Sequence, residues 1–137
     1  INPKTKSILV NALVAHGKNS GLNYSQHFSN KPHSKESCLG LFLTGHTYYG
    51  HDGYALRLQG LEKGINDNAD SRAIVVHGAW YVSKQFARNH HRLGRSWGCF
   101  ALNKKRAAHI ISLIKGNSLL FAYYPNNNWI SHSKFLS

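Results

Sequence analysis

The chain has 137 residues, 42% of them apolar, with three Trp, seven Tyr and six Phe. That composition excludes a disordered tail, and the length fits one domain, 1–137, able to bury a core without metal or disulfide staples. Seventeen Lys and Arg against five Asp and Glu give a formal charge of +12, which suits an anionic partner. The basic residues are spread from Lys4 to Lys134, with Lys104-Lys105-Arg106 as the one tight cluster. There is no basic arm and no zinc-finger spacing, so nucleic acid is not the expected partner. No apolar run is long enough for a transmembrane segment. No signal peptide begins the chain, and a trimmed mature protein would lack one too, so this leaves the compartment open.

In chain order, Ser7–Ala15 reads as a strand or a bent strand pair, and Leu39–Thr44 and Tyr54–Gln59 as two more strands. In the last, Leu56 and Leu58 alternate with Arg57 and Gln59, the period of a sheet with one apolar face. Ala73–Val76 is a short continuous apolar run, typical of a strand buried on both faces. Val82–Asn89 favours a short helix. Lys104–Lys115 is the best helix: Asn103 can cap it, Ala107, Ile110, Ile111 and Ile114 make one face, and Gly116 can end it. Ser118–Tyr124 is a final strand, and Asn126-Asn127-Asn128 a polar loop after Pro125. The whole is a β-rich α+β chain with a mainly antiparallel sheet.

The chemistry concentrates between Arg72 and Leu102. The Ala73–Val76 strand runs into His77-Gly78, a short helix follows, and then Gly94-Arg95-Ser96-Trp97-Gly98-Cys99. A free thiol has a pKa of about 8.5, so it attacks well only with a base to take its proton or cations to stabilise the thiolate. His77 stands at a strand end, a rigid place from which to aim an imidazole, and Arg92 and Arg95 lie just before the thiol. Gly94 and Gly98 permit a tight turn whose N–H groups can face a developing oxyanion. From spacing alone an inert buried cysteine is an equal reading.

The stretch resembles the L,D-transpeptidase (YkuD-type) catalytic motif: His-Gly at a strand end, a variable insert, then Ser-X-Gly-Cys, here Ser96-Trp97-Gly98-Cys99. It is most similar to the murein L,D-transpeptidase catalytic-domain-like branch, through Ile74–Val82 and Leu93–Cys99. Val14–Gly21, Ser37–Gly40, Leu56–Leu61 and Asn66–Arg72 also resemble that branch, so the likeness covers nearly the whole chain. It implies an antiparallel sheet or sandwich with one or two short helices, and a first strand of such domains can be missing here. It also implies Cys99 as nucleophile, His77 as general base, the Gly78 carbonyl as orienter of the imidazole, and the N–H groups of Gly98 and Cys99 as oxyanion donors. Ser96, Trp97, Arg95 and Arg92 join them as candidate substrate contacts. The implied substrate is a peptidoglycan stem peptide, cleaved after its third residue, a diamino acid, with release of D-Ala. The acyl group then passes to an amine, giving a crosslink. The expected setting is the periplasm or cell envelope, where anionic polymers could also attract the basic surface.

Two positions depart from the wider family. Trp97 stands where many members have His, and Ala101 where many have Arg or Asn. Those departures put donor contacts in question and keep open a hydrolase with the same nucleophile, an L,D-carboxypeptidase or peptidoglycan amidohydrolase. A reading from another class is a non-catalytic basic module that binds wall polymer or nucleic acid. Trp97 reads either as an apolar wall for the substrate or as packing under the turn. The chain has ten histidines. His46 and His51, and the pair His90-His91, lack metal-site spacing, and carboxylates are few, so neither metal nor cofactor is expected. His46 reads as a surface histidine, His16-Gly17 as a structural turn and Cys38 as a small buried hydrophobe.

Overall fold

The computed structural model describes residues 1–136; Ser137, the last residue of the expected domain, lies outside the described residues. Its elements are β1 (Val14–Ala15), β2 (Gly40–Gly50), β3 (Gly53–Gly60), β4 (Val75–Ala79), α1 (Lys84–His90), β5 (Phe100–Asn103), α2 (Lys104–Ile114), β6 (Leu119–Ala122) and α3 (Asn127–His132). The strands form one six-stranded sheet in the order β1-β5-β4-β3-β2-β6. Four pairings are antiparallel, while β4 and β5 run parallel. The sheet is therefore mixed, and the strands join in one sheet instead of two.

The expected strand over Ser7–Ala15 shrinks to Val14–Ala15. The apolar side chains of that segment have no packing partner to reward an extended ladder: Ile8 is 71% and Leu13 65% exposed. β-propensity expresses itself only where a pleated surface is covered. Conversely, β2 extends past Thr44 to Gly50 because it pairs with β3 along its length, with a register shift between Thr44 and Thr47. The β2–β3 connection is His51-Asp52, flanked by the Gly50–Gly53 pair. Gly53, which follows the connection, has φ +80, in the left-handed region that glycine adopts without a Cβ clash.

Both expected helices form. Ser83 Oγ accepts from Phe86 N–H at the start of α1, and Asn103 Oδ1 accepts from Lys105 N–H at the start of α2. Ala107 and Ile111 of α2 are buried, with Ile110 and Ile114 packed against the same core as Phe42, Leu56, Leu58, Ile74 and Val76. The helix ends at Ile114; Lys115 is its cap, and Gly116 follows with φ +72. The Asn126–Asn128 loop is corrected to the cap and first turn of α3. Asn126 Oδ1 accepts from Trp129 N–H, and the buried Trp129 gives the turn an anchor.

Two buried polar groups tie these layers together. Asn66 Oδ1 accepts from Glu62 N–H, while its Nδ2 donates to the Leu39 and Leu41 carbonyls. Glu62 accepts from Leu41 N–H, Trp129 Nε1–H and Ser133 Oγ–H, joining α3 and the residue after it to the β2 edge. Truncating a buried group of this kind strands its partners without water. Asn66→Ala is expected to lower unfolding free energy by about 2–4 kcal/mol, seen as a reduced urea midpoint at unchanged slope.

Candidate active site

The parallel β4–β5 register sets His77 opposite Ala101 and Val76 opposite Phe100. Side chains two residues apart on an extended chain share a face. Cys99, two residues before Ala101, therefore projects on the same face as His77. His77 is buried, and its Nδ1 lies 3.0 Å from the Gly78 carbonyl oxygen. A carbonyl can only accept, so Nδ1 is the donor in this contact and Nε2 is the ring nitrogen left to take up a proton. Gly78 itself is required by packing. A Cβ there would meet Ala107 Cβ at 2.9 Å and Lys104 Cα at 3.2 Å, where α2 crosses β4.

Cys99 is free and half-buried. Its Sγ–H points to the Ala73 carbonyl at 3.3 Å, and Val75 N–H donates to Sγ at 3.5 Å. Burial pushes the thiol pKa up; the Val75 N–H and the Arg72 guanidinium act against that, and the Asp52 carboxylate adds to it. At neutral pH this is a protonated thiol, which needs a base to become a nucleophile.

Ser96 holds the turn before Cys99. Its hydroxyl donates to the Cys99 carbonyl at 2.7 Å and accepts from Gly98 N–H at 3.1 Å. Its backbone bonds to His16 and Lys18, extending β5 toward the 16–18 turn. Gly98 has φ +129, and a Cβ there would meet Ile74 Cδ1 at 2.6 Å and the Glu36 carbonyl at 2.8 Å, so glycine alone fits. Ser37 Oγ donates to the Gly98 carbonyl from below.

His77, Ser96, Trp97, Arg95 and Cys99 line one cleft of about 280 Å³, together with His51, Asp52 and Tyr81. Trp97 is 74% exposed and carries the Lys35 ammonium 4.7 Å from its ring centroid; it walls the cleft and does not pack under the turn. Arg95 Nη1 donates to the Lys18 and Gly21 carbonyls, so its guanidinium braces the first loop while its side chain edges the cleft. Arg92 stands outside, lining a neighbouring depression with Trp80, Phe86 and Gly94, and donates to the Leu93 carbonyl. Ala101 is fully buried beside Ala15, Ala79 and Val82, so this position sends nothing into the cleft.

His51 and Asp52, which carry no motif spacing, and Tyr81, which lies within the Ile74–Val82 motif stretch without being singled out as a site residue, are the cleft residues that pattern reading missed. The signal is the hairpin: Ala55 pairs with His77, so the tip of the β2–β3 turn must stand beyond the imidazole. Burial, with the nearby Asp52 and Cys99, raises the Tyr81 phenol to about 12 and keeps it a neutral donor. His46 is exposed on β2. The His16-Gly17 pair repeats the His77-Gly78 contact, Nδ1 to the next carbonyl at 3.0 Å, but in a turn that props Ser96. Cys38 is 1% exposed with its thiol raised to about 11 by burial. Among the described residues no three His, Cys, Asp or Glu side chains cluster as a metal site.

Residues 1–123 match the YkuD_2 family, the L,D-transpeptidase catalytic domain. The chain belongs to that family, whose members are typically enzymes acting on peptidoglycan and are generally associated with the cell envelope. No curated protein and no solved structure matches the chain. Among the described residues no helix is long and apolar enough to cross a membrane.

The electrostatics around Cys99 predict a pH profile. Alkylation of Cys99 by iodoacetamide, followed by peptide mass mapping, is expected to reach half-maximal rate above the ordinary thiol pKa. Asp52→Asn removes a negative charge that disfavours the thiolate, so its profile should move to lower pH; a shift upward or none would contradict the placement of Asp52 beside the thiol.

Proposed function

We propose that Cys99 is the nucleophile of an L,D-transpeptidase that forms crosslinks between peptidoglycan stem peptides in the cell envelope, with His77 as its base. The observation that supports this reading above others is that His77 and Cys99 share one cleft and one sheet face, with Nδ1 of His77 held by Gly78 so that Nε2 is left for the thiol proton.

The raised thiol pKa makes proton transfer part of the attack. As the Sγ–carbon bond forms at the carbonyl of the third stem residue, the thiol proton passes to His77 Nε2. Charge develops on the carbonyl oxygen, and preorganised donors lower its energy more than water does. The Gly98 N–H is already given to Ser96 Oγ, so Cys99 N–H is the donor this turn offers. Ser96 acts as the brace that keeps it aimed. When the tetrahedral species collapses, the carbon–nitrogen bond to D-Ala breaks and the imidazolium returns the proton to the departing amine. The thioester then meets a second stem's amine, deprotonated by the neutral His77, and the new amide releases the thiol.

The Sγ–H hydrogen bond to Ala73 must be exchanged for one to His77 when substrate arrives, a tightening common between free and substrate-bound sites. The charge of +12 favours approach to anionic wall polymer, and hence to the stems attached to it.

Mass spectrometry of the products from purified disaccharide-tetrapeptide tests the reading, with the native protein beside Cys99→Ala and His77→Ala. Cys99-dependent dimer with loss of D-Ala is the expected result. His77→Ala is expected to lower the rate about 10²- to 10⁴-fold. Cys99-dependent D-Ala release without dimer would assign water as acceptor and make the protein an L,D-carboxypeptidase. No Cys99-dependent product from reduced, folded protein would sink acyl transfer and favour a binding module.

A further inference from the structure

A second cleft opens on the other side of Trp97. It measures about 380 Å³ and is lined by His33, Lys35, Ser71, Arg72, Ala73 and Trp97, without an acidic side chain among its lining residues. It adjoins the thiol directly: the Ala73 carbonyl that borders it accepts the Cys99 Sγ–H at 3.3 Å, and Trp97 walls both clefts.

Three non-glycine residues of this cleft, His33 (φ 61), Lys35 (φ 57) and Ala73 (φ 53), hold the left-handed backbone conformation. That conformation is unfavourable for residues with a Cβ and persists where the surroundings enforce it. Arg72 enforces it here. Its guanidinium donates to the Ser29 carbonyl, Ser34 Oγ and the Glu36 carbonyl, pinning the loop that carries His33 and Lys35. With Arg72 thus committed, the charge that faces the cleft is that of Lys35, its ammonium over the Trp97 ring. Among the described residues the ion pair found is Arg57–Asp70, so Lys35 is not neutralised by a carboxylate.

The two sides of Trp97 therefore differ in their acidic groups. The His77 side holds Asp52, with Arg95 committed to the Lys18 and Gly21 carbonyls; the far side holds Lys35 and His33 and no acidic side chain among its lining residues. We propose that the far cleft is the subsite for the terminal carboxylate of the peptide donor, the free acid of the residue that leaves, and that Lys35 is its principal contact. This rests on the acyl-transfer reading for its choice of peptide. The carboxylate of a leaving amino acid is one residue from the attacked carbonyl, a reach of about 3.5 Å, and the far cleft is bordered by the Ala73 residue whose carbonyl touches the Cys99 thiol. On the opposite side a carboxylate would meet Asp52, and the Arg95 guanidinium there already donates to the Lys18 and Gly21 carbonyls.

The test uses Cys99→Ala protein, titrated calorimetrically at low salt with a stem tetrapeptide ending in D-Ala as free acid or as C-terminal amide. The acid is expected to bind about tenfold more tightly than the amide, the size of one charge-assisted contact. Lys35→Gln in the same background should erase that preference, and Lys35→Arg should restore it, which a merely misfolded loop would not allow. Equal binding of acid and amide, a preference that survives Lys35→Gln, or no binding of either peptide would overturn the subsite. D-Ala release by protein with Cys99 intact is measured in parallel. Turnover without acid preference removes the subsite and leaves acyl transfer standing; a Lys35-dependent acid preference without turnover upholds the carboxylate site and removes acyl transfer.

Discussion

The parallel pairing of β4 with β5 is the constraint on which the rest of the site depends. It sets His77 against Ala101, and the strand period then brings Cys99 onto the same face. A parallel pair needs a crossover connection, and here that connection is α1 with the Leu93–Gly98 turn. The turn must therefore end at β5 in register, with its thiol opening on the same cleft as the imidazole. Gly78 belongs to the same constraint, because α2 leaves β5 and crosses β4 where a side chain at 78 would stand.

Around that pairing, irregular chain is held by hydrogen bonds where regular structure offers none. Ser96 joins the turn to the 16–18 segment and to its own Gly98 N–H and Cys99 carbonyl. Ser37, itself bonded to Ser20, supports the Gly98 carbonyl. Arg72 gathers the 29–36 loop. Each of these groups is buried or half-buried, and each satisfies backbone atoms that would otherwise lack water. The turn carrying Cys99 is thus preorganised both by its own Ser96 and by residues that lie far from it in the chain, Ser37 and the 16–18 segment.

Charge is distributed with less uniformity than the total of +12 conveys. Asp52, one of few carboxylates, is carried by the hairpin tip to the thiol cleft, where it opposes thiolate formation and supports the neutral state of Tyr81. A protein that needed only an anionic thiol would gain from a cation there. The placement fits a thiol that stays protonated until a base removes its proton.

Much of this was legible in the sequence, for stated physical reasons. His-Gly at a strand end and Ser-X-Gly-Cys after a glycine turn are local patterns, and so are the Asn103 cap, the Ala107–Ile111 face and the Leu56–Leu58 alternation; each is dictated by residues close in the chain. The sequence by itself thus determined the strand β3 and the helix α2, while the strand expected over Ala73–Val76 starts and ends two or three residues later, at Val75–Ala79, with His77 at its centre and not at its end. It misread Ser7–Ala15 and Asn126–Asn128, because burial, and not propensity, chooses which apolar run pairs and which polar run caps a helix. Only the tertiary structure decided the parallel register, the arrival of His51 and Asp52 in the thiol cleft, the exclusion of Arg92 and the second cleft beyond Trp97. These depend on contacts between residues far apart in sequence, whose distances are set by sheet register and loop pinning and leave no periodic trace in the order of the amino acids.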